Sequence, residues 1–101
     1  MAVGIFRSVQ VKRGKVIEFE ILMREYGDAV AAHEPGCRAR ALMRSPTNKH
    51  RFTVHEEYWN EVAWEVHNLT AHRAKYCPAI LSLCVSCDLT RFEIDDAEAH
   101  G

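Results

Sequence analysis

The chain has 101 residues, 48% apolar and 27% charged, which suits one soluble globular domain and leaves no room for two. Its 13 basic and 14 acidic residues give a net charge of −1, and phosphate-binding domains carry a clear positive excess, so no nucleic-acid partner is expected. No run nears the roughly 20 apolar residues of a membrane span, and the first residues lack a signal peptide's basic-then-apolar order, so a cytoplasmic protein without a membrane partner is expected.

Residues 3–11 alternate, with Val3, Ile5, Arg7, Val9 and Val11 on one side and Gly4, Phe6, Ser8 and Gln10 on the other, the pattern of a strand. Beyond Lys12-Arg13-Gly14-Lys15, a stripe at Val16, Phe19, Met23, Tyr26, Val30 and His33 steps by threes and fours, which predicts a helix. Glu34-Pro35-Gly36 ends it. Cys37 to Arg44 reads as a second strand, Ser45-Pro46-Thr47-Asn48 as a turn. A third strand runs from Arg51 to about Trp59. Phe52, Val54, Glu56 and Tyr58 share one of its faces, and Thr53, His55, Glu57 and Trp59 the other.

Asn60 is a predicted N-cap for a helix to about Leu69, turning Ala63, Trp64 and His67 inward. Thr70 caps a short helix carrying His72 and Tyr76, which Pro78 is expected to close. Leu83 to Ile94 is the last strand. The domain is expected over 1–95, with 96–101 a polar tail.

The order β-α-β-β-α-β is the ferredoxin-like plan, an α+β fold with helices on one face of a four-stranded antiparallel sheet. Phe6, His55 and Trp59 then lie on the far face, which calls for cover, and a second copy of the sheet would supply it as a homodimer.

Four cysteines are present, Cys37, Cys77, Cys84 and Cys87. The Cys84–Cys87 spacing suits half a zinc site or a redox pair, but no second close pair follows and no helix begins there. They are read as plain thiols packed as small hydrophobes. The six histidines include no helical i, i+4 pair and no His-x-His on a strand, so no metal site is expected.

Three segments carry a family resemblance: Glu34-Pro35-Gly36-Cys37 after the first helix, Phe52-Thr53-Val54-His55-Glu56-Glu57-Tyr58 in the third strand, and His67-x-x-Thr70-x-His72-x-x-x-Tyr76 at the helix break. In their order and spacing they resemble the antibiotic biosynthesis monooxygenase family, over about residues 3–94. The resemblance implies a dimeric α+β barrel in which two sheets face each other. It also implies a pocket between the sheet and helices of each subunit. Activities of the family include oxidation of phenols and quinols by O2 without metal or flavin, isomerisation of a small sugar-like signalling molecule, and haem degradation. The haem-degrading branch relies on an Asn, a Trp and a His where this chain has Arg7, Tyr58 and about Cys77, so haem degradation is disfavoured.

His67 and His72 are the candidate catalytic bases, because an imidazole with a pKa of about 6.5 moves protons near neutrality. Along one continuous helix they would sit about 140° apart, so they share a pocket only if the chain breaks at Leu69–Thr70. A plainer reading leaves His67 as a packed, hydrogen-bonded core residue. Arg7, on the helix side of its strand, needs a partner: Glu56, or an anionic group of a ligand. Tyr58, Trp64 and Tyr76 are candidates to line a substrate pocket, although aromatic sets at such spacing often serve only as core. Thr70, in the same motif as the histidines, is counted with the substrate-binding group, as is Glu56.

The leading expectation is a cofactor-independent monooxygenase acting on a small phenolic or quinol-like compound. An isomerase or tautomerase of a small polar metabolite, or a small-molecule binding dimer without turnover, remains open beside it.

Overall fold

The computed structural model describes residues 1–96. Its elements are β1 (Ala2–Val11), α1 (Val16–His33), β2 (Cys37–Arg44), β3 (Arg51–Tyr58), α2 (Glu61–Asn68), α3 (Ala71–Ser82) and β4 (Cys84–Ile94). The strands form one antiparallel sheet in the order β2-β3-β1-β4. This is the expected ferredoxin-like α+β plan, with the second helical arm split in two. The last residues of the expected tail, 97–101, lie outside the described residues.

Local chemistry sets most of the boundaries. Gly14 turns the chain into α1 at φ 78, a conformation that residues with a Cβ rarely adopt. The stripe of α1 buries Phe19, Met23, Tyr26 and Val30 as its spacing predicts, whereas His33, at the stripe's end, is exposed. Asn60 Oδ1 accepts from Ala63 N at 2.9 Å and starts α2. Thr70 Oγ1 starts α3 by accepting from Arg73 N at 3.3 Å, and it donates to His67 O at 2.8 Å.

One boundary departs from expectation. Pro78 lies inside α3, which runs on to Ser82. Proline removes a single ladder bond, but the turn that follows buries Ile80 and delivers Leu83 into the core at 7% exposure each. Tertiary burial therefore overrides the local break.

The helix-facing side of the sheet holds two apolar clusters. One joins Val9, Val11, Phe52 and Val54 to α1 and α3; the other joins Val3, Ile5 and Tyr58 to Ala63 and Trp64 of α2. Between them the apolar alternation is interrupted once on each central strand, by Arg7 on β1 and Glu56 on β3. Arg7 pairs across the ladder with Val54 and Ile5 with Glu56, so the two charged residues are diagonal neighbours on the same face. That polar layer between two cores is where the candidate site lies.

Among the described residues, none of the three helices α1–α3 covers the far face. Phe6 stacks on His55 with centroids 4.6 Å apart and meets Phe92 edge-on at 5.7 Å. Trp59 and Phe92 are more than half exposed.

Candidate active site

The polar layer is built around two carboxylates. Glu56 is fully buried. It accepts from Arg7 Nη1 at 2.8 Å through Oε1 and from the Tyr58 hydroxyl through Oε2. Arg40 Nη1 stands 3.3 Å from Oε2, a charge-pairing distance at which no aligned hydrogen bond forms. Burial by itself would raise the Glu56 carboxyl; Arg7 and Arg40, with the Tyr58 hydroxyl and His67, outweigh it and hold the group below its ordinary range. Burial opposes the charge on Arg7, but Glu56 together with the neighbouring Cys77, Tyr26 and Tyr58 more than compensates.

The second carboxylate is Glu34, the C-cap of α1, whose backbone N–H reaches back to Val30 O at 2.9 Å. Pro35 follows at once and forces the chain off the helix axis, and the Glu34 side chain turns inward. Its Oε1 lies 2.8 Å from His67 Nδ1 and its Oε2 bonds to His72 Nε2. The break after Asn68 thus brings both histidines to one carboxylate, where a continuous helix would have splayed them apart.

His67 links the carboxylates to α1. With Nδ1–H donating to Glu34, Nε2 is left to accept from the Tyr26 hydroxyl at 3.2 Å. Burial lowers the His67 pKa and Arg7 adds to that, beyond what Glu56 and Glu34 restore. The ring is therefore a neutral, accepting imidazole at neutral pH. Tyr26 is pushed well above its ordinary value by burial and by Cys77, whose Sγ lies 3.7 Å from the hydroxyl. It stands as a protonated donor between His67 and the space beyond.

That space is a cavity of about 110 Å³ under α1 and α3. Its polar wall is Arg7, Tyr26, Arg40, Arg73 and Cys77, and its apolar wall includes Phe19, Met23, Val54 and Ile80. An apolar hole of ~150 Å³ takes up benzene, so a single ring sets the scale here. Tyr26 is the contact between the cavity and the Glu34–His67 pair.

Of the residues singled out in the sequence, Arg7 pairs with Glu56, one of the two partners expected for it, and also lines the cavity. His67, His72, Glu56, Tyr58, Trp64, Thr70 and Tyr76 do not line it. Tyr58 and Trp64 belong to the second apolar cluster, with Arg91 over the Trp64 ring at 4.8 Å. Tyr76 stacks on Tyr26 at 5.6 Å, and Thr70 is taken up by its capping bonds.

Four polar wall or relay residues went unmarked in the sequence: Tyr26, Glu34, Arg40 and Arg73. Glu34 sat in a quoted motif but was read only as a helix stop. Arg40 was legible in principle, because strand pairing sets it opposite Glu56.

Glu34, His67 and His72 also place three donor atoms within 4.8 Å of one another. Spacing rules missed this grouping because the donors come from three helices. Both Glu34 oxygens already meet ring nitrogens, so the cluster is complete as a hydrogen-bonded unit, and a closed site for a metal such as zinc asks for a fourth ligand. The Cys84–Cys87 pair makes no disulfide. Burial raises the thiol pKa values of Cys37, Cys84 and Cys87, which disfavours reactive thiolates.

Comparison with known proteins gives one family. Residues 2–79 match the family described as antibiotic biosynthesis monooxygenase. A candidate antibiotic biosynthesis monooxygenase from Caulobacter crescentus superposes with a TM-score of 0.88 at 24% identity, covering 93% of this chain and 90% of its own. A conserved protein from Methanosarcina mazei gives 0.87 at 21%, with 94% of each chain covered. SnoaB, a cofactor-independent oxygenase from Streptomyces nogalater in its N63A form, gives 0.83 at 17%, with 92% of each covered. At these identities the likeness is one of fold. No protein of curated function matches the sequence.

Proposed function

The chain belongs to the antibiotic biosynthesis monooxygenase family, and from that premise we propose that it oxidises a small phenolic or quinol-like compound with O2, without metal or flavin. The observation that carries this reading is the line Tyr26–His67–Glu34. It runs from the wall of a ring-sized cavity to a buried carboxylate through hydrogen bonds of 3.2 and 2.8 Å.

The chemistry starts with a proton. A phenol in the cavity passes its proton to Tyr26 Oη while Tyr26 passes its own to His67 Nε2, and Glu34 holds the imidazolium that forms. The phenolate is then electron-rich enough to reduce O2 directly. Oxygen adds to the ring carbon, the O–O bond breaks, and water leaves. One oxygen atom stays on the ring, as the second carbonyl of a quinone when the substrate is a phenol and as a hydroxyl on the quinone when it is a quinol; the other departs with the two hydrogens that the substrate loses. All four electrons come from the ring, so no reductant is consumed. Arg7 stabilises the negative charge that passes from phenolate to reduced oxygen, and the apolar wall keeps water away. His72, hydrogen-bonded to Glu34, positions it.

The experiment is O2 uptake with a single-ring hydroquinone, with product identified under air and under argon. Tyr26→Phe keeps the ring stack but cuts the relay, and uptake is expected to fall about 100-fold or more. His67→Ala should act as strongly, and His72→Ala more weakly. Unchanged uptake in Tyr26→Phe would remove the relay. A product that forms equally under argon would instead assign the same groups to a tautomerase. Recovery of an unaltered ligand would make the chain a carrier.

The second copy expected from the family belongs on the bare sheet face, where Phe6, His55, Trp59 and Phe92 stand ready to be covered.

A further inference from the structure

The cavity wall carries more positive charge than the chain neutralises. Arg7, Arg40 and Arg73 all line it. Of the two buried carboxylates of this layer, Glu34 is taken up by His67 and His72, and Glu56 is shared by Arg7 through a hydrogen bond at 2.8 Å and by Arg40 through a misaligned contact at 3.3 Å. Arg40 Nη1 and Nη2 and Arg73 Nε are buried and make no hydrogen bond among the described residues. Buried polar atoms are nearly always satisfied, and unsatisfied ones that gather at a cavity call for a partner in it.

The two guanidiniums are not idle for want of room to move. The Arg40 guanidinium lies over the Tyr26 ring, Cζ 4.7 Å from the centroid. The backbone of Arg73 is held at the start of α3 by its N–H on Thr70 Oγ1. The fork of an arginine matches a carboxylate better than a point charge does. The same cavity is lined by the apolar side chains of Phe19, Met23, Val54 and Ile80.

We propose that the cavity takes a single-ring aromatic carboxylate, with the carboxylate on Arg40 and Arg73 and the ring against the apolar wall. This deepens the oxygenase reading, on which it rests, by naming the charge of the substrate: a hydroxybenzoate-like acid, its phenol oxygen turned to Tyr26.

The test is calorimetric binding to the full-length protein, with turnover measured separately. The probes are 3-hydroxybenzoate and its neutral counterpart 3-hydroxybenzyl alcohol, alike in ring and hydroxyl. The acid should bind about 10- to 100-fold tighter, the span expected for hydrogen bonds to a charged group. Arg73→Gln and, separately, Arg40→Gln should each erase most of that preference while leaving the alcohol's affinity within about threefold. Circular dichroism and thermal melting check that each variant is folded, and Arg73→Lys, which keeps the charge but not the fork, should recover part of the preference. Equal binding of acid and alcohol, no binding of the acid, or a preference that survives both Gln variants would overturn the proposal. Its fate is separable from that of the oxygenase. O2 uptake with a neutral quinol but no acid preference sinks the anion site alone, and a clear acid preference with no O2 uptake on any probe sinks the oxygenase alone.

Discussion

Buried polar residues set the terms of both stability and chemistry here. Glu56 is 0% exposed between Arg7 and Arg40, and removing its charge strands two guanidiniums in the core. Glu56→Gln should lower unfolding stability by about 3 kcal/mol in chemical denaturation. The pH dependence follows from two lowered pKa values. His67 binds its proton less readily folded than unfolded, so the stability it contributes is full above its ordinary 6.5 and is lost as pH falls from there through the folded value. Glu56 adds a second window, full above 4.5 and lost as pH falls through its lowered folded value. Unfolding free energy measured from pH 8 downward should therefore begin to fall near pH 6.5, and His67→Gln should remove that first slope. The sequence pointed to Arg7 and His67 because charged or titratable residues interrupted apolar faces. Tyr26 is not distinguishable by sequence because an aromatic on an apolar stripe looks like core, and only the contact of its hydroxyl with His67 Nε2 separates it from Phe19.

The helices show how local signals and tertiary burial divide the work. Asn60 and Thr70 cap where their side chains predict, and Thr70→Ala should destabilise by about 1 kcal/mol. Pro78 is the counter-example. It is exposed within α3, so Pro78→Ala restores a ladder bond without disturbing the core. Thermal melting should show a gain of about 1–3 kcal/mol. Gly36 marks a contact between elements: a Cβ there would come 2.6 Å from the Ala63 Cβ of α2. Gly36→Ala should push α2, and His67 with it, away from the sheet, which would appear as lost activity alongside lost stability.

Seen whole, the described chain is a slab of 43 × 31 × 18 Å, one sheet with helices on one side only. Its bare face carries Phe6, Trp59 and Phe92 with His55 among them, a surface that isolated monomers seldom expose. The expected outcome in sedimentation is a dimer, with Phe6→Glu combined with Phe92→Glu shifting it to monomer. A wild-type chain that sediments as a monomer at micromolar concentration would leave this face for another partner. No helix among the described residues is long and apolar enough to cross a membrane.

The pattern of apolar residues settled the element order, the inward faces of β1 and β3 and the buried stripe of α1, because periods of two and 3.6 residues map directly onto sides. It also marked the helix break at Thr70, because a side-chain cap acts within three residues. Only the folded chain decided that both histidines meet Glu34, that Tyr26 separates them from the cavity, and that Arg40 and Arg73 are the donors left unsatisfied. Those groups come from α1 and its C-cap, α2, α3 and β2, and their hydrogen bonds span up to 41 residues. Which side chains meet across such distances is set by how the helices sit on the sheet, and no local period encodes it.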